Sequence, residues 1–478
     1  MTQMIFPFDN SYARDLPGFH VSWKPAVPPE PRLVKFNAPL ARDLGLDAAV
    51  LEGTAGTAIF SGAALPEGAT PIAQAYAGHQ FGGFSPQLGD GRALLLGEIV
   101  DPRGRRFDIQ LKGSGRTPFA RGGDGKAAIG PMLREYLVSE AMAALGIPTT
   151  RALAVALTGE TIYRDTGLPG AVLTRVAASH IRIGTFQFFA ARGETDKVKQ
   201  LADYAIARHF PELAAEKNPY LALLARVRKL QAALVAQWFS VGFIHGVMNT
   251  DNAAISGETI DYGPCAFMDA YDPRTVFSSI DHQGRYAYGN QHLLAGWNIA
   301  RFAETLLPLI DTDQERAVAL ATDCVEGFEA DFHGSWTALM RRKLGLSGED
   351  DGDSALIADY LVLLEQDEAD FTQSFRHLAK LARGEQTDFF PAAFTPWLAR
   401  WTPRLHASSA PDMDRVNPLY IPRNHLVEEA LAAATQGDMA PFDELLAVLQ
   451  QPFTEQPGKE RYAEPVMRDP SYRTFCGT

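Results

Sequence analysis

Between residues 93 and 176 the hydrophobic period of this chain changes from two to 3.6 and back again, and that switch limits the folds open to it. Residues 93–100 are a short apolar run, Pro102-Arg103-Gly104 marks a turn, and Phe107, Ile109 and Leu111 then alternate with Asp108, Gln110 and Lys112. The pattern predicts a β-hairpin. From about residue 126 to 145, Ile129, Met132, Leu133, Tyr136, Leu137, Ala141 and Leu145 share one helical face, and Gly146 and Pro148 supply the stop. Strand-like runs return over 152–157 and 170–176. Strand, strand, helix, strand, strand describes a small α+β unit.

At 478 residues the chain exceeds what one hydrophobic core supports, so two lobes or more are expected. The first 70 residues, rich in Pro and short turns, are expected to wrap a surface. Beyond residue 186 the character is mostly helical, with helices expected over 221–239, 297–307, 315–333 and 426–434 and an acidic loop over 348–353. Lys and Arg total 44 against 57 Asp and Glu, a net charge of -13 that argues against general binding of nucleic acid or anionic membrane. No stretch approaches the roughly 20 consecutive apolar residues of a membrane span. The start lacks the basic region and long apolar core of a secretory signal, and three cysteines (Cys265, Cys324, Cys476) cannot form a disulfide framework. The cytoplasm is the expected compartment.

Three clusters carry chemistry. Gln87-Leu88-Gly89-Asp90-Gly91-Arg92 precedes the first strand; its glycines let backbone N–H groups approach an anion and Arg92 can pair with a phosphate, although the same residues suit a hairpin turn. Lys112 ends the alternating strand, as do the lysines that neutralise nucleotide phosphates, and the next helix offers Glu135 or Glu140 as its ion-pair partner. Periodicity does not choose between them. The intervening Arg121-Gly122-Gly123-Asp124-Gly125-Lys126 puts glycine and charge at a helix N-terminus, a natural phosphate position. Third, His245-Gly246-Val247-Met248-Asn249-Thr250-Asp251-Asn252 is followed by Ile260-Asp261-Tyr262-Gly263. Asn252 and Asp261 have the order and spacing of a kinase-type metal clamp, whose hard oxygens suit Mg²⁺ or Mn²⁺. A protein kinase has an Asp at the third position of this loop; here it is Val247, with Asp251 the nearest substitute.

These motifs resemble the selenoprotein O family of kinase-like protein adenylyltransferases. The likeness spans nearly the whole chain, through Phe8-Asp9-Asn10-Ser11-Tyr12-Ala13, residues 76–82, 108–115 and 133–137, Ser179-His180-Ile181-Arg182, residues 245–252, Gly284-Arg285-Tyr286-Ala287-Tyr288, Asn417-Pro418 and Arg423-Asn424. It implies an α+β, protein-kinase-like two-lobed fold: an N-terminal extension and small sheet-bearing lobe over 1–178, then a larger, mostly helical lobe with a C-terminal extension over 179–478. It also implies ATP bound in a flipped orientation and transfer of AMP to Ser, Thr or Tyr hydroxyls of proteins. By resemblance, Gly89, Gly91 and Arg92 contact the nucleotide, and Lys112, Asp124, Gly125, Arg175 and Arg182 surround its phosphates. Glu135 pairs with Lys112, Asp251 accepts the hydroxyl proton, Asp261 touches the nucleotide, and Asn252 and Asp261 hold the metal. Flipped ATP accounts for Val247. Arg175 and Arg182 carry no signal of their own in the sequence.

Two features depart from the family pattern: Pro422 before Arg423-Asn424, and the ending Phe475-Cys476-Gly477-Thr478, which keeps the family's C-terminal cysteine without its usual serines. Some members pair that residue with a cysteine of the activation-loop region; here Cys265 follows Asp261-Tyr262-Gly263 while Val276-Phe277-Ser278 carries no cysteine, so the resemblance leaves a Cys265–Cys476 disulfide and two unpaired thiols both open. UMP transfer from UTP, γ-phosphate transfer by a kinase, and a nucleotide-binding scaffold without catalysis are the competing functions. Val247 argues against the kinase, and the set Lys112, Glu135, Asn252 and Asp261 against the scaffold.

Overall fold

The computed structural model describes residues 5–466 and 472–475. It combines helices with an antiparallel sheet that is eight-stranded among those residues. The hairpin expected from the alternating residues forms its centre, with Ala93–Val100 against Arg106–Lys112. Arg106–Lys112 pairs on its other side with Gly167–Ala177, which pairs in turn with Arg151–Tyr163. These last two strands outrun the expected bounds. Past Leu157 they continue as an arm that opens on the polar Thr158-Gly159-Glu160-Thr161, where the apolar alternation is interrupted before the buried Ile162.

The first 70 residues do more than wrap a surface. They supply His20–Ser22 and Arg32–Phe36, which lie at opposite edges of the sheet, with Ile72–Gln74 bridging the first of these to the central hairpin. Phe6, Leu40, Leu44, Leu51 and Phe60 then cover one sheet face, packing on Leu96, Ile109, Leu111 and Val172. These two edge strands, of 3 and 5 residues, leave little periodicity, and their partners lie 50 or more residues away, beyond the reach of a local pattern.

The helix Ile129–Ala144 crosses the other side of the sheet. It begins later than expected because Ala127–Ala128 pairs with Gly170 and Ala171 as strand. Its expected apolar face is buried apart from the half-buried Leu145, and so are Arg134, Glu135, Ser139 and Glu140 on the remaining sides. The reason is a second cover. Asn424–Thr435 and Ala440–Leu449 pack Leu426, Leu431, Phe442 and Leu445 onto Leu133, Tyr136 and Leu137. The remaining helices form the largest core, where Pro219–Ser240 lies against Gln291–Ile310 and Gln314–Lys343. Among the described residues no helix is long and apolar enough to cross a membrane.

Candidate active site

Sheet register decides which charges meet. Leu173 lies opposite Lys112 and Arg175 opposite Gln110, so the Lys112 and Arg175 side chains leave the same sheet face two residues apart. Glu135 rises from the helix between them. Its carboxylate takes Lys112 Nζ at 2.6 Å and Arg175 Nη2 at 2.5 Å, on separate oxygens. Both cations also reach Asp261 Oδ1, at 2.5 and 2.6 Å. Burial alone would raise the carboxyls of Glu135 and Asp261, but the adjoining guanidinium and ammonium outweigh it and hold both below the usual range. Glu140 is elsewhere. Five residues further on it is turned by about 140° around the helix, where it pairs with Arg151 at 2.6 Å and accepts the Ala152 N–H. The sequence leaves the two glutamates open; the structure gives Glu135 to Lys112.

The loop after Pro219–Ser240 is set by buried contacts. His245 stacks on Trp238 and its Nε2 lies 2.8 Å from the Ile260 carbonyl, which ties the 245–252 loop to Asp261. Asp261 has a φ of 65°, a left-handed conformation that Asp tolerates better than bulky residues. Asn252 donates its amide N–H to the Val247 carbonyl at 3.0 Å. Asp251 is nearly buried: Gln80 Nε2 donates to its Oδ2 at 3.1 Å, Oδ1 has no partner among the described residues, and burial pushes its carboxyl up to about 6.

Gly89, Gly91, Arg92, Lys112, Asp124, Gly125, Glu135, Arg175, Arg182, Val247, Asp251, Asn252 and Asp261 all line one cleft of about 440 Å³. The structure thus brings together every site residue expected from the sequence except the cysteines. Cys265 is fully buried outside the lining, its thiol pushed up to about 12 by burial, and Cys476 lies outside the described residues. Close approach explains the glycines. A Cβ on Gly89 (φ +77°) would fall 2.4 Å from the Phe119 ring, and one on Gly125 (φ +69°) 2.3 Å from the Gly115 carbonyl oxygen. Arg182, fully buried, lies over the Tyr76 ring at 4.4 Å and 3.7 Å from Asp90, whose carboxyl burial pushes up to about 6.

Tyr76, Gln80, Phe119 and Arg164 also line the cleft and carry no chemical signal in the sequence. Gln80 belongs to a small hairpin, Gly78–Gln80 with Gly83–Ser85, strapped to the 245–252 loop by His79 N–H donating to Thr250 Oγ1 at 2.7 Å. Gly78 leaves room for Asp251, since a Cβ there would sit 2.4 Å from Oδ1. Only its fold partner explains that glycine.

A cleft that converges buried cations on free carboxylate and amide oxygens is equipped for polyphosphate chemistry. The family model described as "Protein adenylyltransferase SelO" matches residues 6–450. Protein nucleotidyltransferase YdiU from Cereibacter sphaeroides strain KD131 is 62% identical over 482 residues, covering 99% of this chain and 100% of its own. Proteins of the same name from Chromobacterium violaceum and Mycolicibacterium paratuberculosis are 61% and 58% identical, over 95% and 98% of this chain and 98% and 97% of theirs. The chain is accordingly a nucleotidyltransferase. It belongs to the SelO family.

Proposed function

We propose that this enzyme transfers AMP from ATP to Ser, Thr or Tyr hydroxyls of proteins, with flipped ATP held in a kinase-like cleft. The observation that carries this reading lies in the 245–252 loop. Val247 lines the cleft at the position where a kinase needs an acid, while Asp251, four residues on, has a buried carboxylate oxygen without a hydrogen-bond partner among the described residues. In this reading Arg92, Lys112, Arg175 and Arg182 counter the phosphate charge, and Gly89, Gly91, Asp124 and Gly125 shape the nucleotide's seat. Glu135 keeps Lys112 and Arg175 aimed. The acceptor oxygen attacks the α-phosphorus, its proton passes to Asp251, and the bond to the β-phosphate oxygen breaks to release pyrophosphate.

The donor set suits a hard divalent cation. Lys112 and Arg175 converge on Oδ1 of Asp261 and leave Oδ2, while Asn252 spends its amide N–H on Val247 and leaves its oxygen. Among the described residues no cluster of three His, Cys, Asp or Glu side chains could hold a metal, so a two-ligand site completed by phosphate oxygens is the form that fits. Asn252 and Asp261 would hold Mg²⁺ or Mn²⁺, which when bound supplies positive charge against the phosphates. We assign residues 1–178 to the N-terminal extension and sheet-bearing lobe and 179–478 to the helical lobe with its extension. That division is supported by a cleft lined from both parts. The scarcity of cysteine supports a cytoplasmic setting.

The test uses ATP labelled separately at the α- or γ-phosphate, with metal present and Asp261→Ala alongside. Protein-bound label from α-labelled ATP alone, lost in the variant, is the expected result. Label from the γ-position would make the chain a kinase, and label from neither would favour a scaffold.

A further inference from the structure

Arg164 stands at the tip of the polar arm, next to the exposed Tyr163, and has no role in the sequence reading. Its guanidinium forks onto Asp124, with Nη1 to Oδ2 at 3.0 Å and Nη2 to Oδ1 at 3.1 Å. Nη2 also donates to the Lys126 carbonyl at 2.9 Å. Asp124 in turn accepts the Lys126 N–H at 3.0 Å, and Lys126 Nζ pairs with Glu160 on the same arm. The glycine loop 115–125 is therefore pinned from outside itself. Its neck is closed by Gly115 N–H donating to the Gly125 carbonyl at 3.0 Å. Its apex is exposed: Arg121 has a φ of 49°, and nothing lies within 4 Å of where a Gly122 side chain would begin.

The exposure of this pair decides its purpose. The Arg164 and Asp124 side chains are 29% and 46% exposed, and ion pairs so placed add little to stability. A bidentate fork nonetheless fixes direction as well as distance. Both residues line the cleft beside Gly125. We propose that Arg164 is a nucleotide-positioning residue, a splint that acts through Asp124 to hold the glycine loop against the phosphates of ATP. This inference rests on the nucleotide reading of the cleft. It makes the tip of this arm a working part of the site.

Calorimetric titration of ATP, with Mg²⁺ present, into the full chain and into Arg164→Ala, Asp124→Asn, the double variant and Arg164→Lys tests it. Each single variant is expected to raise the dissociation constant about tenfold, because a loop that must be ordered on binding binds more weakly. The double variant should be no more than about twofold worse than the weaker single, since both break one linkage. Lysine should recover less than half of the loss, as an ammonium does not span two oxygens. Melting temperatures should stay within about 2 °C of the parent. A dissociation constant for Arg164→Ala within about twofold of a parent that binds ATP would overturn the splint and leave the nucleotide reading intact, as would effects that multiply in the double variant. A parent that binds no ATP would overturn both.

Discussion

Lys112, Arg175, Glu135 and Asp261 form one electrically balanced unit, and a double-mutant cycle can read that balance directly. The Lys112 and Glu135 side chains meet at 2.6 Å with 8% and 4% of their surfaces exposed, and Arg175 is 2% exposed. Two cations and two carboxylates cancel. Glu135→Gln leaves both cations with only Asp261, and breaking a buried pair in this way costs about 3–5 kcal/mol. Glutamine keeps a hydrogen-bonding oxygen, so a loss near the lower limit, about 3 kcal/mol, is expected. Lys112→Met leaves two carboxylates on Arg175 and should cost about the same. The double variant restores neutrality, with Arg175 still on Asp261, and should lose only about 3–4 kcal/mol, a coupling of about 2–3 kcal/mol. Urea unfolding of the ligand-free chain, followed by circular dichroism, measures all four corners. Losses that simply add, or a Glu135→Gln variant within about 0.5 kcal/mol of the parent, would refute the balanced unit.

Asp251→Asn should lower AMP transfer to protein by about 10²–10⁴-fold while ATP affinity, read by calorimetry, changes less than about threefold; an equal loss of both would make Asp251 a binding residue only. Gly125→Ala should reduce ATP affinity and stability more than Gly89→Ala, although both positions are left-handed. A new methyl at 125 meets the Gly115 backbone at 2.3 Å, whereas at 89 it meets the Phe119 ring, which can turn aside; thermal melts and titrations rank the two. Lys343, fully buried 4.0 Å from the Phe375 ring centre, has its ammonium pulled down to about 7 by burial. Its unfolded value is higher, so below about pH 7 the folded state bears the full cost of a buried charge, and that cost fades as pH rises toward 10. Lys343→Met should therefore be the more stable protein at pH 7, by a few kcal/mol, with the advantage shrinking at pH 9–10; urea midpoints at the two pH values check the sign.

Legibility divides along physical lines. The central hairpin, the helix over 129–144 and the long helices after 219 are written in short-range periodicity, so their existence follows from the sequence. Lys112, Asn252 and Asp261 were legible for a related reason, since each sits at a fixed offset from a strand end or loop. Helix bounds moved where the cause was not local. The helix expected over 315–333 runs on to Lys343, and the strand arm beyond Leu157 opens on Thr158-Gly159-Glu160-Thr161, four residues with no apolar alternation. Arg175 and Arg182 could be named only by resemblance, because a buried arginine looks like a strand-end or hinge charge until its partners are known.

Local pattern encodes the order of elements and the chemical types available: a strand lysine, a glutamate on the next helix, oxygen ligands after a buried helix, glycines where backbones must come close. Which of them meet is settled by long-range packing. Glu135 and Glu140 are both buried, so burial could not choose; strand register turned Arg175 toward Glu135, and Arg151 claimed Glu140. Edge strands from the first 40 residues, the cover of residues 424–449 over the site helix, and the reach of Arg164 to Asp124 join segments far apart in the chain. Such contacts form only when the whole chain collapses onto shared cores, and no local window of the sequence contains both partners.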